Sequence, residues 1–224
     1  MSALVTSTRR RDPVLRWLIL LILWLLPLTA AWWLGGAEWA LRLLRVLADS
    51  ILPHCFPQGV SEIVLQADQS WKVRTGLTIQ GEFPAAMAIF FVDKTTLLRI
   101  VMGFPLLWAL LLATPGSRLK RIAWGTLLLG GVSLLGISAN MWAMIAVMFN
   151  HQASLIDESL VPPPFQVSVD PYPEWLFHLS TFAHYLAVLI VPVIAPVLIW
   201  VMLCPRGMRR LLVSLRRRVV KKAD

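Results

Sequence analysis

The chain has 224 residues, of which 58% are hydrophobic, and it carries a formal net charge of +9. A soluble domain is nearer half apolar, and here the excess is concentrated in long uninterrupted runs, which excludes an ordinary soluble fold and predicts a membrane protein. A positive charge of this size also suits nucleic-acid binding, but its placement along the chain favours a different explanation.

The basic residues are gathered in three segments that flank the apolar runs. Segments 1–16, 115–121 and 205–224 hold 15 of the 21 Lys and Arg residues but only two of the 12 acidic residues, Asp12 and Asp224. This asymmetry is the bias that orients membrane proteins with their basic segments in the cytoplasm. We therefore predict a multi-pass protein of the bacterial inner membrane, with both termini cytoplasmic and no nucleic-acid partner. The basic tail is also expected to attract anionic lipid.

The first apolar run, residues 17–36, is long enough for one membrane crossing at about 1.5 Å per residue. A signal peptide is the alternative, because basic residues precede the run and small residues lie near its end. A signal core of about 7–15 residues is shorter than this run, so an uncleaved anchor is predicted.

Residues 37–52 are predicted to form an amphipathic helix, either lying on the outer leaflet or continuing the first helix beyond a kink. Arg42, Arg45 and Asp49 recur at helical spacing and are assigned to one face. The other face is assigned four apolar residues: Trp39, Leu43, Leu44 and Leu47.

Residues 61–80 change to an alternation of apolar and polar side chains, which predicts a β-hairpin. Residues 68–70 are the predicted turn, and residues 87–92 are predicted to add a third strand. Three strands with one apolar face are about the minimum for an independent unit. Segment 37–94 is therefore expected to be periplasmic and to end in a small β element that packs on the helices or on a partner.

Three further crossings are predicted, with Pro105 bending the first of them and Pro192 and Pro196 bending the last. The predicted fold class is an all-α integral membrane protein with four transmembrane helices and a small periplasmic β-hairpin or sheet. The remaining segments are crossings at 95–114, 122–149 and 183–204, a cytoplasmic connector at 115–121, a periplasmic loop at 150–182 and a cytoplasmic tail at 205–224.

Small and polar residues recur along the third crossing and are predicted to share one stripe. Such a stripe lets another helix approach closely and offers hydrogen bonds in lipid. Two roles fit this stripe: packing within the bundle and contact with a partner protein. Its members are Thr126, Gly130, Ser133 and Asn140.

Few residues in the sequence are suited to catalysis. It contains no nucleotide-binding loop, no HExxH and no CxxC motif, and no cofactor or metal site is predicted. Cys55, Arg99 and His184 all fall on the outer side of the predicted topology, where a thiolate, a cation and a base are the groups of a cysteine transpeptidase. No spacing forces them together, so this triad is kept as the alternative to a chain without catalytic residues.

Two stretches resemble the small membrane proteins associated with exosortase H. The first runs from Gly103-Phe104-Pro105 to Thr114-Pro115 before the basic turn, and the second is the proline-containing run 191–200. The resemblance implies a non-enzymatic accessory of a system that sorts exported proteins, with an exosortase as membrane partner. Exosortases use a Cys, an Arg and a His, but the resemblance is to the associated protein, so no catalytic residue is carried over. The alternative function is a membrane cysteine transpeptidase or protease that uses Cys55, Arg99 and His184.

Overall fold

The computed structural model describes residues 13–55, 59–80, 86–116, 118–154, 166–167, 173–205, 207–209 and 213. Seven α-helices, two π-helical turns and four strands are found there. The helices are α1 (Pro13–Ala31), α2 (Ala37–Cys55), α3 (Lys94–Val101), α4 (Gly103–Ala113), α5 (Arg118–Ser154), α6 (Glu174–Tyr185) and α7 (Val191–Leu203). The strands are β1 (Glu62–Leu65), β2 (Trp71–Gln80), β3 (Ala86–Val92) and β4 (Gln166–Val167).

Four helical segments of the described chain are long and apolar enough to cross a membrane: Val14–His54, Lys94–Ala113, Arg118–Ala146 and Glu174–Leu203. Together with the small sheet they confirm the predicted fold class. Helix α5 continues to Ser154 and α6 begins after Pro173, so both helices extend into the segment 150–182 that is predicted to be a loop. The predicted cytoplasmic tail, 205–224, lies largely outside the described residues.

Helices α1 and α2 are joined by a π-helical turn, Trp32–Gly36, with no loop between them. Gly35 has φ 153°, a conformation that glycine adopts readily and other residues rarely do, and the helix axis bends there. Helix α2 is therefore a kinked continuation of α1. Its buried face is Leu41, Leu44, Ala48 and Leu52.

The apolar face predicted for α2 is divided between two environments. Leu44 packs in the core, whereas Trp39 and Leu43 are 74% and 64% exposed and Leu47 is also exposed. An apolar side chain that faces lipid and one that faces the protein interior give the same sequence pattern, because both environments are apolar. The grouping of Leu44 with the other three was therefore wrong.

The sheet is antiparallel, with the order β1-β2-β3, and β4 pairs with the far end of β2. The predicted turn at residues 68–70 is closed by Asp68, whose carboxylate accepts hydrogen bonds from the backbone N–H and the hydroxyl of Ser70 at 3.0 and 2.7 Å. These hydrogen bonds hold the pKa of Asp68 below its usual value, the Ser70 hydroxyl having the largest effect. The inner face of the sheet is apolar and buried, and includes Ile63, Trp71, Val73 and Val92.

Two helix irregularities in the bundle follow from proline. Helix α3 ends at Val101 and α4 begins at Gly103, because Pro105 has no N–H to donate to the Val101 carbonyl and its ring clashes there. The π-helical turn Leu186–Ile190 likewise ends two residues before Pro192, which cannot donate the usual hydrogen bond to the carbonyl of Val188 inside the turn.

Candidate partner-binding site

The sheet is held to the bundle by α2, which covers the outer edge of β1. Asp49 accepts a hydrogen bond from the backbone N–H of Ile63 at 2.9 Å, and Arg45 donates to the carbonyl of the same residue at 3.2 Å. An ion pair of 3.4 Å between Lys94 and Glu38 adds a contact between α3 and α2. The polar face predicted for α2 thus satisfies backbone groups that an edge strand would otherwise expose.

The opposite edge of the sheet is β3, and it borders a cleft of about 450 Å³ that separates it from α5 and α6. Within the described residues, no hydrogen bond from another element reaches the outer edge of β3. Phe91 is 56% exposed and Ile89 is also exposed, so the end of this strand presents apolar side chains as well as backbone groups. The cleft is lined by Phe90, Phe91, Ala143, Met144, Thr181, His184 and Tyr185.

One wall of the cleft is fixed by a hydrogen bond between α5 and α6. His184 Nδ1 and Asn140 Oδ1 are hydrogen-bonded at a distance of 2.7 Å. Asn140 is fully buried, and its Nδ2 has no partner among the described residues. An unsatisfied buried donor costs about 1–3 kcal/mol, so the hydrogen bond to His184 and the surrounding packing together hold the amide in place against that cost.

The predicted stripe on α5 is divided between internal contacts and an open position. Thr126 accepts a hydrogen bond from the Trp108 indole at 2.9 Å, Ser133 is 1% exposed, and Asn140 holds His184. Gly130 differs, since a Cβ placed there would meet nothing within 4 Å. Three of the four residues therefore pack within the chain, and a role of the stripe in partner contact stays a prediction that depends on Gly130.

The alternative triad is not assembled by the described residues. His184 is paired with Asn140, and neither a hydrogen bond nor an ion pair joins it to Arg99, which is exposed on α3. The side chain of Cys55 lies outside the described residues. No group of three or more potential metal ligands occurs in the part of the chain that the structure describes.

The two stretches that carry the family resemblance pack against each other. At one end, a Cβ on Gly103 would lie 2.7 Å from the carbonyl oxygen of Pro192 and 2.8 Å from the ring of Pro196. At the other end, the Trp200 indole donates to the Thr114 hydroxyl at 2.8 Å, and that hydroxyl donates to the Leu110 carbonyl, also at 2.8 Å. The two stretches that carry the family resemblance thus form the contact between α4 and α7. Sequence reasoning did not find its tryptophan–threonine hydrogen bond, because the two residues are 86 positions apart.

Four apolar spans that carry a small sheet at one end define a multi-pass membrane protein. A family model described as exosortase H-associated membrane protein matches residues 11–207, so the chain belongs to that family and is associated with exosortase systems. No curated protein and no solved structure matches the chain.

Proposed function

We propose that the protein is a non-enzymatic accessory of an exosortase-type sorting system in the bacterial inner membrane, and that it acts by binding a membrane partner, the exosortase. In this proposal both termini are cytoplasmic and the sheet lies in the periplasm. The non-enzymatic role rests on the family description, which names an associated protein. The orientation rests on the placement of the basic residues.

The observation that carries the proposal is the difference between the two edges of the sheet. The β1 edge is covered by Arg45 and Asp49, whereas the β3 edge borders the cleft and receives no hydrogen bond from the described residues. An exposed edge can accept an extended segment of another chain as an additional strand, and an adjoining pocket can then select its side chains. We therefore assign the partner contact to β3 and the cleft beside it.

Phe91 and Lys72 provide a matched pair of positions for a test. They are register partners on neighbouring strands, so both side chains lie on the same face of the sheet, but only Phe91 lines the cleft. Phe91→Ala should lower both co-purification with the exosortase and the processing of sorted proteins in the native host, because it removes an apolar contact from the proposed interface. Lys72→Ala should leave both near the wild-type level.

A photo-activated cross-linking residue at position 91 should also give an adduct with the exosortase, whereas one at the exposed Trp39 on α2 should not. Equal processing by the Phe91 and Lys72 variants, with no adduct from position 91, would reject this surface. An adduct between differently tagged copies of the chain would instead assign the edge to self-association.

A further inference from the structure

A second groove lies at the end of the bundle opposite the sheet, between the start of α1 and the end of α4. Its volume is about 410 Å³. Helix α1 contributes Arg16, Leu20 and Trp24, which follow one another at intervals of about one helical turn and so lie on the same face. The charged residue comes first, at the end of the helix, and the apolar residues follow it towards the middle of the bundle. The lining residues used in the argument are Arg16, Trp17, Leu20, Trp24, Leu112 and Arg118.

The groove carries two positive charges, and none of the acidic residues that the structure describes lies beside them. Neither Arg16 nor Arg118 has a hydrogen bond or ion pair within the described residues, whereas the neighbouring Arg121 donates to the carbonyl of Pro115 at 3.1 Å. The first turn of α5, which begins at Arg118, contains no acidic residue, so the positive end of its helix dipole adds to the same field. The acidic residues that the structure describes all lie in other parts of the fold: Glu38, Asp49, Glu62, Asp68, Asp93 and Glu174.

The rest of the groove is lined by apolar side chains, and a contact between two tryptophan rings fixes the helices beside it. The Trp17 ring packs against Trp200 at a centroid separation of 5.6 Å, which ties α1 to α7 beside the groove. Leu20 and Trp24 continue this surface along α1, and Leu112 faces them from α4. A ligand that matches the whole groove therefore needs an anionic head and a hydrocarbon chain directly attached to it.

We propose that this groove binds one anionic phospholipid, with its phosphodiester between Arg16 and Arg118 and an acyl chain along Leu20 and Trp24. Guanidinium groups bind phosphate oxygens through paired charge-assisted hydrogen bonds. A lipid with a choline headgroup would bring an additional positive charge to two arginines that have no acidic partner among the described residues, and free phosphate would leave the apolar surface uncovered. In the proposed topology the bound lipid belongs to the cytoplasmic leaflet. The site is separate from the diffuse attraction expected of the basic tail.

The test compares two double variants that remove the same charge from the same end of the helix bundle. Arg16→Gln/Arg118→Gln changes the groove, and Lys120→Gln/Arg209→Gln changes two exposed basic residues that do not line it. Native mass spectrometry of the full chain in mild detergent would measure binding of phosphatidylglycerol, phosphatidylcholine and inorganic phosphate. Each lost contact with the phosphate weakens binding by a factor of roughly five, so the groove variant should bind phosphatidylglycerol about 25-fold more weakly. The control variant should keep nearly all of the binding.

Quenching of tryptophan fluorescence by brominated phosphatidylglycerol supplies a second measurement. Trp24→Phe removes an indole from the proposed acyl-chain path, so the fraction of tryptophan fluorescence that the brominated lipid quenches should fall. Trp39 lies on α2, outside the groove, so Trp39→Phe should not produce this fall. Equal binding of phosphatidylglycerol by the two double variants would overturn the proposal. The proposal would also be overturned if the wild type bound phosphatidylcholine as tightly as phosphatidylglycerol. If it bound inorganic phosphate as tightly as phosphatidylglycerol, the groove would be an anion site and not a lipid site.

Discussion

At the scale of single residues, the close approach of α4 to α7 depends on the absence of a side chain at Gly103. Its Cα faces the backbone of α7, where a Cβ would lie 2.7 Å from the Pro192 carbonyl oxygen. That carbonyl cannot swing aside as a flexible side chain can. The contact therefore restricts the residue at position 103 for steric reasons, without any need for φ > 0.

Gly103→Ala is expected to lower the free energy of unfolding by about 1–3 kcal/mol, because it overpacks a contact made by the backbone. Gly131→Ala is the control, since a Cβ there meets nothing within 4 Å and alanine is the better helix former. Thermal denaturation in mild detergent, followed by size-exclusion chromatography, would measure both. A Tm for Gly103→Ala at or above that of Gly131→Ala would show that α4 and α7 are not packed this closely.

At the scale of elements, α5 combines two roles along its length. Its buried side chains hold neighbouring helices through the bonds of Thr126 to Trp108 and of Asn140 to His184. Gly136 likewise brings α5 close to Ile100 and Ala187. Among the described residues, no atom lies within 4 Å of a Cβ built at Gly130 or Gly131, so this part of the helix is open to lipid or to another protein.

A bulky residue at Gly130 therefore tests the partner role of the stripe without disturbing the internal packing. Gly130→Leu should reduce co-purification with the exosortase, because a leucine prevents the close helix approach that glycine allows. Gly131→Leu points about 100° further around α5 and should have little effect. Ser133→Leu is a poor test, since Ser133 is buried and the change would disrupt the bundle itself. Unchanged complex formation by Gly130→Leu would remove the stripe from the proposed interface.

At the scale of the whole molecule, charge is distributed between two ends. Near the sheet, the acidic residues Glu62 and Asp49 are accompanied by the basic residues Arg74 and Arg45, whereas Arg16, Arg118 and Lys120 at the opposite end of the bundle have no described acidic residue beside them. Of the two possible orientations in the membrane, only one places the basic end of the bundle in the cytoplasm, which is the side where basic segments accumulate. The sheet, with its β3 edge, would then face the periplasm, where exported proteins arrive.

Reporter fusions test this orientation directly. Alkaline phosphatase, which is active only in the periplasm, should be active when fused at Ser70 and inactive when fused at Ser117 or after Asp224. A cytoplasm-dependent reporter at the same three positions should give the reverse pattern and controls for expression. Strong phosphatase activity from the C-terminal fusion would contradict an even number of crossings.

Local patterns in the sequence were sufficient for the spans and for the hairpin. Hydrophobic length distinguishes a membrane crossing, and the alternation over 61–80 distinguishes a strand pair, because each depends on neighbouring residues only. The same patterns predicted the class of protein and, through residues 103–115 and 191–200, the family. They also predicted that residues 68–70 form a turn, where Asp68 and Ser70 interact across two positions.

Only the tertiary structure decided which polar groups meet and which apolar residues are internal. Asn140 and His184 are 44 positions apart, and no periodicity links them or places Asp49 on the edge of β1. Hydropathy also could not separate Leu23, which is 62% exposed, from Leu111, which is buried. Lipid and protein interior are equally apolar, so the outside of a membrane bundle has no polar signature, and the cleft beside β3 and the groove beside Arg16 became visible only once the helices were packed.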